Sequence, residues 1–293
     1  MNVAERNQLY KDRTLAALPR LLTELDRDAF SYTFGSFDRE YWAWATKDFS
    51  NVDLQRGVYA LAILYLTPFE GNLWHGYPRV KDWILGAIDF WRRNQYSNGS
   101  HNHHYPNEHS FVGAAFPLYE LSESFRMLDA AGDLTNEQKA YWLAGMTHAG
   151  RFLCEVDELH GFISNHRIGA ACGLQALFQL TGDSAFKQRA EALIRGVRAA
   201  ASKSEGWPLE YAGADPGYQT LDTYYMANYA RLTGDEEFQR EVVEPAIRFL
   251  QYFFHPDGSV GGEYGSRNCS LYFPSGFEVL ATRMPEAEAI ASL

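Results

Sequence analysis

One turn recurs along the chain at a nearly fixed interval. Gly132-Asp133, Gly182-Asp183 and Gly234-Asp235 lie 50 and 52 residues apart. In each, the glycine suits a left-handed helix end and the aspartate suits the cap of the next helix. Apolar residues on either side recur with helical periodicity, at about 6–28, 52–67, 78–95, 109–131, 135–156, 166–181, 184–202, 218–233, 236–254 and 274–283. Strand signals are few, and 258–264 reads as an ordered loop or short hairpin. Helices that start near 52, 109, 166, 218 and 275 each follow a long loop and precede a short turn and a second helix. The second helices are more charged, as in Lys187, Arg189, Glu191, Arg195 and Arg198, and the first are rich in Ala, Gly, Leu and Tyr. A repeat of this length predicts helical hairpins set side by side, small-residue helices inward and charged ones toward water. The expected fold is all-α, an (α/α) toroid or incomplete toroid, with residues 1–293 forming a single domain.

Composition narrows the function. The net charge of −11 argues against a nucleic-acid or anionic-membrane binder, which needs a basic face. Aromatics make up 15% of the chain, more than a core requires, and the surplus suits a groove for flat amphipathic ligands such as sugars. Cys154, Cys172 and Cys269 form no close-spaced pair, so neither a disulfide framework nor a zinc ribbon is expected. The first twenty residues lack the apolar core of a signal peptide and no apolar run approaches 18 residues. The expected compartment is therefore the cytoplasm.

The long loops precede the small-residue helices, so a ring of hairpins gathers them at one mouth. They concentrate Asn, His, Tyr, Arg and Gln: 35–44, 96–109, 162–167, 210–219 and 262–268. His101, His103, His104 and His109 with Glu108 invite a metal reading, but no HExxH or other ligand spacing is present. No metal and no cofactor are expected. One of His103, His104 or His109 suits substrate contact or proton transfer instead.

The 35–44 loop with Asp48-Phe49, Asn165-His166 at one helix entry, Asp215-Pro216-Gly217-Tyr218-Gln219 with Tyr224 and Tyr225, and Glu263 through Asn268 together resemble the heparinase II/III-like and alginate-lyase-like group of (α/α)-toroid polysaccharide lyases. The resemblance spans most of the chain and implies β-elimination at a uronate-containing glycan. Such enzymes carry an Asn at one inner-helix entry, then a His, a Tyr and an Arg; many add a C-terminal β-sandwich, for which these residues leave no room. Asn165 matches the Asn. Tyr218 and Gln219 stand where many members place a His, a departure that leaves the base open between His166 and a tyrosinate near Arg167.

The resemblance thus implies catalytic roles for Asn165, His166, Tyr218, Tyr224 and Arg267. Substrate contacts fall to Arg167, Gln219, Asp222, His104 and His109, with Trp42, Trp44 and Tyr264 as stacking walls. Several of these also have plain structural uses. Asn165 suits a helix cap, Asp215 a turn, Asp53 a cap and Tyr225 the core. Arg267 suits a carbonyl clamp as well as a carboxylate binder. The acidic net charge favours a neutral or mixed glycan over a heavily sulfated one. Two other readings stay open. An inverting glycosidase would draw a carboxylate pair from Glu210, Asp215, Asp222, Asp53 and Glu263, with Asp222 one turn beyond Tyr218 on the same helical face. A non-catalytic glycan- or partner-binding remnant would show these side chains scattered.

Overall fold

The computed structural model describes residues 1–265, 268 and 271–293. Among them there is no strand, only isolated bridges such as Ile163 with Glu210 and Phe254 with Val260. The residues cluster into two compact units. The first holds residues 3–157 and 179–182, and the second holds 1–2, 158–178 and 183–293.

The first unit contains α1 (Val3–Glu24), α2 (Gly57–Leu66), α3 (Pro78–Arg93), α4 (Phe111–Ala130) and α5 (Asn136–Glu155). α4 packs on α2 and α5, and α3 packs on α2. The second unit contains most of α6 (Ser164–Thr181), then α7 (Ser184–Ala200), α8 (Pro216–Thr233), α9 (Glu244–Leu250), α10 (Ser275–Ala281) and α11 (Pro285–Ser292). α8 packs on α9 and α10, and α10 packs on α11. No described helix is long and apolar enough to cross a membrane.

The two kinds of helix expected from the sequence differ in burial as they should. α4 buries every residue from Phe111 to Phe125, and α8 buries Gln219 to Thr223 and Tyr225 to Ala230. A helix enclosed on so many sides favours small and apolar residues, and the charges α4 does bury, Glu120 and Glu123, are paired with Arg56 and Arg126. α7 instead buries one stripe, Phe186, Ala190, Leu193, Ile194 and Val197, and turns its charges outward.

The repeated turns are only partly alike. Gly234 is a left-handed C-cap with φ 67°, and Asp183 and Asp235 cap the following helices through the N–H groups of Ala185 and Phe238. Asp133 does not cap. Thr135 does, in a reciprocal capping box with Gln138, while Asp133 binds Lys81 Nζ at 2.9 Å and the Tyr65 hydroxyl at 3.1 Å. Likewise Asn51, not Asp53, caps the turn at 52–56. The helix expected at 236–254 is interrupted by a π-helical turn at Gln239–Val243 directly before Pro245, whose missing N–H cannot continue the ladder. Pro285–Ser292 forms a helix that the periodicity did not single out.

Glycine lets α10 sit close on α8. A Cβ on Gly276 would stand 2.6 Å from the Thr223 carbonyl group. Gly276→Ala is therefore expected to push the two helices apart and cost about 1–3 kcal/mol, read as a lowered unfolding midpoint.

Candidate active site

The N-terminal turn of α6 begins buried, so its first N–H groups need acceptors that water cannot supply. The 209–213 segment provides them. Ser164 donates its backbone N–H (3.1 Å) and its hydroxyl (2.7 Å) to the Leu209 carbonyl. The backbone N–H of Asn165 donates to Glu210 Oε1 at 2.7 Å, and its amide Nδ2 donates to Glu210 Oε2 at 2.8 Å. Asn165 is thus not the cap it resembles in sequence. It lies inside the helix, and Glu210, 45 residues on, caps that helix through it. Asn165 Oδ1 is buried and accepts no hydrogen bond among the described residues.

Glu210 is itself held on both sides. Its backbone exchanges hydrogen bonds of 2.8 and 3.0 Å with Gly213, closing a tight turn in which Tyr211 takes φ 55°. A bulky residue in that region is strained, a feature that gathers at functional sites. The next cap follows at once: Asp215 accepts the Tyr218 N–H at 3.1 Å and starts α8. The Tyr218 ring stands edge-on to Tyr211, with centroids 6.4 Å apart.

One turn beyond Tyr218, Asp222 is fully buried and interacts with Glu210 as a carboxyl pair. The contact is loose, since neither Asp222 oxygen reaches full hydrogen-bond geometry. Burial pushes Glu210 up to about 7, against the pull of the Asn165 hydrogen bonds. Burial and the Glu210 charge push Asp222 well above the usual carboxylate range. The two therefore hold at least one proton near neutrality, and it belongs mainly to Asp222, because Asn165 stabilises the Glu210 anion.

A second carboxylate stands on the other side of Asn165. Glu158 Oε2 accepts from His166 Nδ1 at 2.6 Å, and Oε1 accepts from His160 Nδ1 at 2.7 Å and from the His160 N–H at 2.9 Å. Burial alone would raise Glu158, but these hydrogen bonds outweigh it and hold the group down at about 2. Facing a carboxylate, His166 Nδ1 carries the hydrogen, so Nε2 carries the lone pair. That is the arrangement of a histidine base oriented by an acid.

Asn165, His166, Tyr218 and Asp222 thus all belong to the second unit, and Glu210 links Asn165 to Asp222. Tyr224, six residues after Tyr218, falls off the face shared by Tyr218 and Asp222, and its ring lies tilted against Tyr225 with centroids 4.9 Å apart. Gln219 is buried and spends its amide on the Ala246 carbonyl at 2.6 Å, tying α8 to α9. Arg167 lies over the Phe162 ring at 4.7 Å. Tyr264 is 65% exposed beside Phe253 and His255. Arg267 lies outside the described residues.

Trp42, Trp44, His104 and His109 belong to the first unit. Arg39 stacks over both indoles, and Trp44 is 61% exposed while Trp42 Nε1 donates to the Glu24 carbonyl at 2.7 Å. Glu108 is not poised as a metal ligand. One of its oxygens accepts the backbone N–H groups of His103, His104 and Tyr105, at 2.9, 2.7 and 3.2 Å. His109 Nδ1 pairs with Ser100 Oγ at 2.8 Å. His101 is buried against Trp91, and burial lowers it to about 3, so it stays neutral.

Comparison with known proteins gives the class. Residues 81–273 match the ulvan lyase N-terminal domain family, and the chain belongs to that family. Its fold is that of the helical-toroid polysaccharide lyases. It aligns with a Paenibacillus xanthan lyase over 99% of its own length and 28% of that chain, with a TM-score of 0.63 and 13% identity. A second solved structure, titled a polysaccharide lyase, aligns over 72% of this chain and 40% of that one, with a TM-score of 0.39 and 13% identity. The chain therefore spans about a quarter of the length of the xanthan lyase it matches. None of the curated proteins compared with it matches.

The paired carboxyls make a pH test. Glu210 binds its proton more tightly in the native state (about 7) than in the unfolded chain (4.5), so its contribution to stability is complete below pH 4.5 and lost as pH rises through 7. Glu158 acts in the opposite sense: its contribution is complete above pH 4.5 and lost as pH falls toward 2. The unfolding midpoint is expected to fall between pH 5 and pH 8, and Asp222, also raised, adds to the slope in the same sense. Glu210→Gln should flatten that slope.

Proposed function

We propose that this chain is the helical catalytic part of a polysaccharide lyase that opens a uronate-containing glycan by β-elimination. The observation that carries the reading is the Glu158–His166 pair beside Asn165 at the entry to α6. It supplies an oriented base and a carboxylate-binding amide on adjacent residues, in a family named for a lyase.

The chemistry follows from those atoms. His166 Nε2 takes the C5 proton of the uronate. The carbanion left at C5 delocalises into the adjacent carboxylate, and Asn165 donates to that carboxylate as its charge grows. The electron pair then forms the C4–C5 double bond and expels the C4 oxygen, which takes a proton from Tyr218. Glu158 stabilises the imidazolium that His166 becomes, much as an orienting acid does in hydrolases. Arg267 is assigned the neutralisation of the substrate carboxylate, and Arg167 supports it. Tyr264, exposed in the same unit, stacks a sugar ring. Tyr224 is a reserve acid, and Gln219 contributes by holding α8.

The glycosidase reading loses support from the same site. An inverting pair keeps its carboxyls about 6.5–9.5 Å apart to admit a water. Both oxygens of Glu210 are instead taken by the Asn165 backbone N–H and Nδ2, which leaves that carboxylate engaged rather than poised to activate a water.

Ulvan and xanthan, the polysaccharides named for the matched family and fold, head the substrates to try. Product is read as near-ultraviolet absorbance of the unsaturated sugar, with a reducing-end assay alongside. His166→Ala should lower kcat by about two to four orders of magnitude with the fold retained. Reducing sugar released without unsaturated product, and dependent on Asp222, overturns the lyase reading in favour of hydrolysis.

A further inference from the structure

The lyase reading asks Asn165 to present an N–H, not a carbonyl oxygen, to an anionic substrate. A primary amide can rotate by half a turn and exchange the two at little cost in shape. What forbids this here is Glu210. Its two oxygens take both donors of Asn165, the backbone N–H and Nδ2, at 2.7 and 2.8 Å. A flipped amide would put Oδ1 against a buried carboxylate oxygen. Glu210 is 3% exposed, and its backbone is pinned by Gly213 on one side and, through Leu209, by Ser164 on the other. Behind it, Asp222 is fully enclosed on α8 and meets the Glu210 carboxyl. None of this is needed to start a helix, because a Ser or Asp cap does that from the helix's own sequence.

We propose that Glu210 is the positioning residue of the lyase site, fixing the Asn165 amide so that its second N–H is held for the substrate carboxylate, and that Asp222 is the buried acid that steadies Glu210. The proposal rests on the β-elimination reading. Glu210 touches no reacting atom, and it acts through Asn165. Asp222 acts one step further back: its O–H toward Glu210 lets two carboxyls share an enclosed space without two full charges, which would repel each other and an incoming uronate.

Substitution separates this role from a purely structural one. Gln at 210 keeps the shape but offers one acceptor and one donor where two acceptors stood, so the Asn165 amide loses its fixed orientation. With a uronate polymer that the wild type converts, Glu210→Gln is expected to lower kcat about 100-fold with KM changed by less than about fivefold, the scale for a misplaced catalytic group. Because Glu210 works through Asn165, the Asn165→Ala, Glu210→Gln double variant should be no more than about threefold slower than Asn165→Ala alone. Asp222→Asn, which keeps an N–H toward Glu210, should retain at least about tenfold more activity than Asp222→Ala.

A folded Glu210→Gln with kcat within about threefold of wild type overturns the proposal, and so do losses that multiply in the double variant. If Glu210→Gln does not fold, as judged by circular dichroism, the Asp222 pair decides: equal activity of Asp222→Asn and Asp222→Ala overturns it. Wild-type protein that forms no unsaturated product from any uronate polymer overturns the lyase reading and the positioning role together. An active wild type with additive losses overturns the positioning role alone.

Discussion

Much of the candidate site follows from one requirement: the buried start of α6 must find acceptors for its N–H groups. Glu210 and the Leu209 carbonyl meet it from a segment 45 residues away. Meeting it fixes the 209–213 turn, forces Tyr211 into the left-handed region and delivers the chain to Asp215, which starts α8. An acidic side chain is well suited to this place, since the positive end of the helix dipole and charge-assisted hydrogen bonds both favour an anion. The entries of two helices buried along most of their length are thereby set by two carboxylates five residues apart, Glu210 for α6 and Asp215 for α8.

The same helix entry places two glutamates in opposite electrostatic conditions. Glu158 receives two imidazoles and a backbone N–H and stays ionised far below its ordinary range. Glu210 receives two donors as well, but burial, helped by the nearby Asp215 charge, raises it toward neutrality. Carboxyls whose environments drive them apart are a recurrent mark of divided acid–base work. On the proposed reading the division is between an anion that orients a base and a proton-sharing pair that orients an amide.

The sequence carried the hairpins clearly, because Gly182-Asp183 and Gly234-Asp235 are local signals read by local backbone geometry. It misled at Asp133, where Thr135 two residues on offered a better capping box and freed the aspartate for Lys81. Asn165 and His166 stood out as a pair, and Asp215 announced its turn. Glu158 and Glu210 were harder. Glu158 sits eight residues before His166 in a loop, a separation that no helical or strand periodicity brings into contact. Glu210 was visible as a carboxylate for hydrolysis, but its link to Asn165 is tertiary and leaves no spacing to read. In the histidine-rich loop, where the spacing predicts no metal, one oxygen of Glu108 accepts three backbone N–H groups of its own segment, a use that leaves no periodicity to read.

Asp222 shows how one residue type can change meaning with its neighbours. On a helical face with Tyr218, an aspartate reads as a candidate general acid. Fully buried and facing the charge of a second buried carboxyl, it loses most of its tendency to ionise. What remains is a neutral hydrogen-bond donor inside an otherwise acceptor-rich pocket. The proposed elimination has a use for such a group, and hydrolysis by inversion would have none. In elimination the carboxylate of the substrate is itself the electron sink, so the protein must limit its own negative charge around that point while keeping one amide rigidly turned toward it. On the proposed reading, a proton held by the Glu210–Asp222 pair meets both demands with the same pair of side chains.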